Sequence, residues 1–93
     1  MNSFAKALAA RCEVSMYRVM ETIGIDNNDC VLINHGCVAY EHAHDLGYVA
    51  FKTGEQPGAL IESDAMLLKG WRDGFEDARC NDAIANSDHF YAH

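Results

Sequence analysis

The chain has 93 residues, of which 49% are hydrophobic and 23% charged, a composition typical of one small globular domain. No apolar run is longer than four residues, so the sequence predicts neither a transmembrane helix nor the hydrophobic region of a secretory signal. Fourteen acidic against seven basic residues give a net charge of −7. This charge argues against direct binding to nucleic-acid phosphates or anionic lipid.

The charge is unevenly distributed along the chain. Residues 1–23 hold three bases and two acids, a balance of +1, whereas residues 24–93 hold four bases and twelve acids, a balance of −8. Because a local excess of one sign attracts surfaces of the opposite sign, the acidic part indicates a partner with a basic surface.

The first 24 residues are predicted to form a pair of short helices. Ser3 is a suitable N-cap for the first, and Val14-Ser15 interrupts the pattern, with Ser15 as the cap of the second. Gly24 is expected to end that second helix, since glycine adopts the left-handed conformation that closes many helices.

The sequence does not determine the secondary structure at the start of the middle segment. The apolar run Cys30–Ile33 is compatible with a short strand or with a buried helical turn, and its periodicity does not choose between them. After the turn signal Asn34-His35-Gly36, helical spacing predicts a helix over about 37–53 that ends at Gly54. Glu55–Gly58 reads as a loop.

The last helix has the clearest pattern. We expect Ser63 to cap it, and an apolar stripe runs along it at steps of three and four residues: Leu68, Trp71, Phe75 and Ala78. From about Asn86 the tail is polar and is expected to lose helical structure. The sequence therefore predicts a single all-α domain, a small bundle of about four helices whose residues 37–85 form an antiparallel helical hairpin joined at Pro57-Gly58.

Two glycines interrupt the last helix at positions 70 and 74. Glycine in a helix interior costs about 1 kcal/mol relative to alanine, so its presence needs a reason. We expect Gly70 and Gly74 to let the 37–53 helix approach closely, with Gly47 as the matching contact on that helix.

Acidic residues gather on the face of the last helix opposite its apolar stripe. Asp73, Glu76 and Asp77 lie within five residues, and Glu62 and Asp64 lie near the helix start. Lys69→Asp73 and Arg72→Glu76 are possible i,i+4 ion pairs. The set is interpreted either as a solvated helix face or as an acidic docking strip that enters a basic groove built for nucleic acid.

A second set of residues carries a family resemblance. The stretch Ala43–Ala50, followed by Gly54 and Pro57 and then by Gly70–Asp77, resembles ribosome modulation factor and the small phage and plasmid proteins related to it. The resemblance implies a helical hairpin and, in its functional form, a ribosome-associated factor. Its contact residues would be Tyr48, Trp71 and Arg72.

The N-terminal segment resembles the turn of a helix-turn-helix. Leu8–Ser15 followed by Val19 has the residue types of such a turn, and Ser15–Ile23 would be the recognition helix with Arg18 pointing outward. This resemblance implies a DNA-binding regulator. A local charge of only +1 is small for contacts with phosphates.

Cysteine and histidine are frequent but scattered. Four cysteines without a C-x-x-C pair are expected to be reduced thiols in a cytosol, buried as small hydrophobic residues. Cys37, Glu41 and His44 share a helix face, and His89 and His93 are spaced like a ligand pair. The thiols, however, are scattered without the close C-x₂₋₄-C pairs of zinc sites, and His42 and His44 would point to different sides of a helix. We expect no metal and no cofactor.

Nothing in the sequence indicates catalysis. A glycine-rich phosphate loop and a G-x-S-x-G motif are both absent, and a core of this size leaves little volume for a ligand pocket. The leading hypothesis is a non-catalytic, cytoplasmic binding protein that inhibits or modulates a nucleic-acid-handling machine by protein–protein contact. The expected class is that of phage or mobile-element inhibitors of the anti-CRISPR or anti-restriction type. The sequence does not determine the oligomeric state.

Overall fold

The computed structural model describes the backbone of residues 3–26 and 28–91, and the side chains of these residues as far as position 85. This part of the chain holds no strand, which confirms the all-α class. Four helices follow one another: α1 (Ser3–Thr22), α2 (Cys30–Thr53), α3 (Ala59–Glu62) and α4 (Ala65–Tyr91). Among the described helices, none combines the length with the apolar character that a bilayer crossing requires.

The N-terminal segment is one continuous helix, so the predicted pair of short helices is wrong. Ala7, Ala10 and Val14 are buried on one face of α1. The backbone continues as a helix through Val14-Ser15 to Thr22. The part after Val14 is held against the rest of the chain by the ion pair of Arg18 with Asp64. As predicted, Gly24 closes the C-terminal end of α1, in the left-handed conformation with φ 88°.

The second helix begins at Cys30, well before the predicted start at 37. Asp29 caps it, because its Oδ1 accepts hydrogen bonds from the Val31 amide at 2.9 Å and the Leu32 amide at 3.4 Å. The run Cys30–Ile33 is therefore helical, and the strand alternative is wrong. As predicted, the helix ends at Gly54, which has φ 77°.

The last helix is capped by Asp64 and not by Ser63. Asp64 Oδ1 accepts hydrogen bonds from the amides of Met66 at 2.9 Å and Leu67 at 3.3 Å. Ser63 instead closes the short helix α3, donating its amide to Ala59 O at 3.1 Å. The backbone of α4 stays helical to Tyr91, so the expected loss of helix from Asn86 is wrong up to that residue.

The helices α2 and α4 run parallel to each other, which corrects the predicted antiparallel hairpin. Their side-chain contacts pair residue 40 with 73, 44 with 77 and 48 with 81, always 33 positions apart. In an antiparallel pair one number would fall as the other rises. The helical hairpin implied by the family resemblance is therefore not formed by these two helices.

The segment that connects the end of α2 to the start of α4 runs back along α1. Ser3 Oγ donates to Glu55 Oε2 at 3.2 Å, and Arg18 forms an ion pair with Asp64 at 3.2 Å, so residues 55–64 follow α1 from its start toward its end. α1 and α2 are antiparallel, since Lys6 pairs with Asp45 and Glu13 with His35.

A core of mostly small side chains draws the helices together. It is formed by Ala7, Ala10, Val14, Ala39, Ala43, Ile61 and Leu67. The predicted glycine contact between α2 and α4 is confirmed. A Cβ atom on Gly47 would lie 1.8 Å from Trp71 O, and one on Gly74 would lie 1.9 Å from His44 O. The two backbones therefore touch, and only glycine fits at these two positions.

Replacing either contact glycine by alanine will destabilise the fold. Gly47→Ala and Gly74→Ala place a methyl group against immovable backbone, so we expect a loss of about 3 kcal/mol or more, despite the better helix propensity of alanine. Thermal or urea unfolding followed by circular dichroism measures the loss. Gly70→Ala is the control, because its Cβ would meet Ala43 Cβ and Tyr40 O at 3.1 Å. A Gly74→Ala variant as stable as Gly70→Ala would contradict the close contact.

Candidate functional site

A row of polar contacts joins α2 to α4 beside the glycine contact. Tyr40, His44 and Tyr48 on α2 meet Asp73, Asp77 and Asn81 on α4, and these six residues are named the polar ladder. The Tyr40 hydroxyl donates to Asp73 Oδ2 at 2.5 Å, His44 Nε2 contacts Asp77 Oδ2 at 2.7 Å, and Asn81 Nδ2 donates to Tyr48 Oη at 3.0 Å. Residues four apart lie on one helix face, so two parallel helices in contact bring matching rows together.

Hydrogen bonds fix the charge state at the first step of the polar ladder. The Tyr40 hydroxyl and the Lys69 ammonium, 3.0 Å away, both donate to Asp73 and hold the pKa of its carboxyl below the ordinary value. The same bond to Asp73 raises the pKa of Tyr40 to about 12. Asp73 is thus a carboxylate and Tyr40 a neutral donor at neutral pH.

The ion pairs of the predicted acidic strip differ in part from expectation. Lys69 pairs with Asp73, as predicted. Glu76 is held by Arg79, whose Nε donates at 2.9 Å, and not by Arg72. The Arg79 guanidinium lowers the pKa of Glu76 and has its own pKa raised in return. Arg72 is exposed.

Asp64 is a structural residue and not part of an exposed strip. Its side chain is only 9% exposed, and it forms ion pairs with Arg18 at 3.2 Å and Arg11 at 3.7 Å. It also caps α4. Glu62 is exposed at the end of α3 and lies apart from the row of acids on α4. Of the five predicted acids, Asp73, Glu76 and Asp77 remain close together.

The three residues implied by the family resemblance do not form one exposed surface. Trp71 is half-buried and stacks on Phe75, with ring centroids 5.4 Å apart. Tyr48 belongs to the polar ladder, and the Lys52 ammonium lies 5.8 Å from its ring centroid. Arg72 alone is fully available to a partner.

The predicted helix-turn-helix is not formed, because Ser15 lies within the continuous helix α1 and begins no separate recognition helix. Arg18 does not serve as a free phosphate ligand, since its guanidinium contacts Asp64 at the end of residues 55–64, the return segment that follows α1.

The cysteines are exposed free thiols, so the expectation that they are buried is wrong. No group of three possible metal ligands comes together in the described part of the chain. His44, one member of the suggested set with Cys37 and Glu41, contacts Asp77 instead. His89 and His93 lie outside the residues whose side chains are described.

An open groove is larger than the small core led us to expect. It has a volume of about 520 Å³ and is lined mainly by Tyr17, Ile33, Gly36, Cys37, Tyr40, Glu41 and Met66. The lining is largely apolar, with Cys37 and Glu41 on the same helix. Their thiol and carboxylate do not form a nucleophile–base pair of the kind that activates a cysteine.

Comparison with protein families, with curated proteins and with solved structures finds no match to this chain. The polar ladder is thus defined by its geometry alone. Sequence reasoning singled out Asp73, Asp77 and Tyr48, and it considered His44 only as a metal ligand. It missed Tyr40 and Asn81. The sequence does contain a signal, because Tyr40, His44 and Tyr48 have the same i,i+4 spacing as Asp73, Asp77 and Asn81. Only a parallel arrangement of the two helices brings these rows together in this order.

The Tyr40–Asp73 bond predicts an unusual titration. Because the folded-state pKa of Tyr40 lies above the unfolded value of about 10, the bond stabilises the fold fully below pH 10 and is lost as pH rises through about 12. The difference in ultraviolet absorbance between the wild type and Tyr40→Phe isolates this titration. We expect Asp73→Asn to move it toward pH 10, and an unmoved midpoint would contradict the bond.

The Asp64 cluster predicts graded losses of stability. Asp64→Ala removes the cap of α4 and leaves two arginines without their carboxylate, at a cost of about 2–3 kcal/mol. Asp64→Asn keeps the cap and should cost about 1 kcal/mol. Asp29→Ala is the matched control, because Asp29 caps α2 and is exposed. Denaturant unfolding measures the loss of stability of all three variants. Equal losses for Asp64→Ala and Asp29→Ala would show that the ion pairs of Asp64 with the two arginines do not stabilise the fold.

Proposed function

We propose that the protein is a non-catalytic binding protein that inhibits or modulates a nucleic-acid-handling machine by contact with a basic protein surface. Inhibitors carried by phages and mobile elements, of the anti-CRISPR or anti-restriction type, are the functional class intended. The observation that supports this most directly is the fixed position of Asp73 and Asp77 on successive turns of α4.

The polar ladder supports this proposal because it orders the two carboxylates before a partner arrives. Tyr40 and Lys69 hold Asp73, and His44 holds Asp77, which is nevertheless 61% exposed. In both carboxylates the intramolecular donors contact Oδ2, so Oδ1 is the atom that an incoming donor would use. Side chains already ordered in the free protein lose less entropy on binding.

The spacing of the carboxylates suits arginine or lysine side chains. Residues four apart on a helix have Cβ atoms about 5–6 Å apart, so Asp73 and Asp77 present two negative charges to neighbouring basic side chains of a partner. The lowered pKa values of Asp73 and Glu76 keep both charged near neutral pH. Charge-assisted hydrogen bonds from guanidinium groups are among the stronger polar contacts in proteins.

The net charge adds long-range attraction to these local contacts. Residues 24–93 carry a balance of −8, and this part of the chain includes both helices of the polar ladder. A field of one sign speeds the encounter with a basic partner, and salt weakens it. We place the protein in the cytoplasm with such a partner, as its free thiols suggest.

Ribosome association is the second candidate, and it rests on the resemblance to ribosome modulation factor. Of its three implied contact residues, Arg72 is exposed, whereas Trp71 packs on Phe75 and Tyr48 is bonded to Asn81. This candidate is therefore less well supported than the acidic surface. A DNA-binding regulator has no comparable support, because Arg18 is engaged by Asp64.

Neutralising Asp73, Glu76 and Asp77 on α4 should abolish partner binding. We compare Asp73→Asn/Glu76→Gln/Asp77→Asn with the wild type as bait for capture from host cytosol, identify captured proteins by mass spectrometry, and repeat the capture at high salt. The proposal expects a basic nucleic-acid-handling complex that is lost in the variant and at high salt.

A matched control removes the same charge elsewhere. Glu21→Gln/Asp45→Asn/Glu55→Gln also neutralises three acids, which are exposed and lie outside the polar ladder. This control should capture the same complex as the wild type. Equal capture by the Asp73/Glu76/Asp77 variant would contradict the proposed surface. Capture of ribosomal proteins that depends on Arg72 would favour the second candidate instead.

A further inference from the structure

Helix α1 exposes a continuous apolar stripe to solvent. Its large members are Phe4, Leu8, Met16, Val19 and Ile23, and their exposed fractions range from 46% to 69%. They lie on the side of α1 away from Ala7, Ala10 and Val14, which pack in the core. No other described helix exposes as many large apolar side chains along one face.

The stripe lies on a face without charge. At 3.6 residues per turn, an arc of about 160° contains the stripe together with Ala5, Ala9, Cys12, Ser15, Met20 and Thr22. The five charged residues of α1 all lie outside this arc, and four of them have partners in the rest of the chain. Lys6 pairs with Asp45, Glu13 with His35, and both Arg11 and Arg18 with Asp64. A solvated helix face normally carries charge, so this face is typical of a contact surface.

The spacing along this face is the same in both directions. Positions 4, 8, 12, 15, 19 and 23 are separated by four, four, three, four and four residues. A two-fold axis through the midpoint, between residues 13 and 14, would place Phe4 opposite the partner's Ile23 and Leu8 opposite the partner's Val19. At the centre, Cys12 would lie opposite the partner's Ser15. Such a pairing of one surface with itself is the defining property of a two-fold interface.

We propose that the chain forms a homodimer in which the apolar stripe of α1 packs antiparallel against the same stripe of a second copy. The paired helices would be in contact over about 30 Å, the length of a 20-residue helix.

The area supports a second copy as the occupant. Five large apolar side chains, each about half exposed or more, offer a few hundred Å² of contiguous apolar surface per copy, the size of patch that marks contact surfaces. The small residues on the same arc bring the contact toward the ~800 Å² per partner of a standard specific interface.

The charge distribution favours the same arrangement. Residues 1–23 have a balance of +1, whereas the remaining residues carry −8 and would repel a second copy. Contact through α1 joins the two chains at their least acidic part. The polar ladder involves α2 and α4 only, so it does not take part in this contact.

The mass in solution tests the dimer. Light scattering after size-exclusion chromatography of the full chain should give twice the monomer mass of 10.3 kDa at micromolar concentration. Leu8→Glu/Val19→Glu should halve the mass while the helical circular dichroism stays unchanged, because both residues are exposed. The control is Val49→Glu, a residue on α2 that is 50% exposed, and this variant should remain a dimer. A monomeric wild type, or a dimer indifferent to Leu8→Glu/Val19→Glu, would overturn the proposal.

Cross-linking tests the antiparallel register independently of stability. In a background of Cys12→Ser, Cys30→Ser, Cys37→Ser and Cys80→Ser, one chain carries Leu8→Cys and another carries Val19→Cys. An oxidant such as diamide should cross-link the mixture, since the two thiols would face each other. Neither variant should cross-link alone, because identical positions would lie about 16 Å apart along the helix axis. Cross-linking of Leu8→Cys with itself would indicate parallel pairing and overturn the proposed geometry.

These two experiments use purified protein and measure its mass in solution or the formation of a covalent dimer. A negative result is therefore distinguishable from a failure of the partner capture, which tests Asp73, Glu76 and Asp77 on α4.

Discussion

The contact between the backbones of α2 and α4 is the constraint on which the rest of the molecule depends. Gly47 meets the carbonyl of Trp71, and Gly74 meets the carbonyl of His44, at separations that exclude any side chain. Because the helix axes are so close, Tyr40 reaches Asp73 directly and His44 reaches Asp77. A wider spacing would leave these carboxylates as flexible groups on a solvated face. The packing of glycine thus decides the electrostatics of the candidate surface.

Local features of the fold were predictable from the sequence, and the direction of its helices was not. Gly24 and Gly54 identify helix ends because each occupies a left-handed position, and Gly47, Gly70 and Gly74 identify a close helix contact. The direction of α4 relative to α2 leaves no such mark, since an apolar stripe is the same for parallel and antiparallel neighbours. The segment 54–64 is long enough for either. Its path is fixed by α1, through contacts up to 52 positions apart.

The candidate site illustrates the same division. The grouping of Asp73, Glu76 and Asp77 follows from helical spacing, and so does the pair Lys69–Asp73. The different role of Asp64 does not follow, because its partners Arg11 and Arg18 lie about fifty positions earlier in the chain. Arg79 likewise displaces Arg72 as the partner of Glu76, since both spacings are possible on a helix. Composition identified the acids, and only tertiary structure separates those that hold the fold from those that face solvent.

The parallel arrangement also has a consequence for how the chain is made. α1 and α2 are neighbours in sequence and can pair once the first 53 residues have been synthesised, whereas α4 docks only after the return segment has passed along α1. Until then, Ala43, Gly47 and Ala50 on α2 form an uncovered furrow suited to a glycine-containing helix. An α4 from a neighbouring nascent chain fits that furrow as well as its own does. Exchange of the C-terminal helix between chains is therefore the assembly error to which this topology is most exposed.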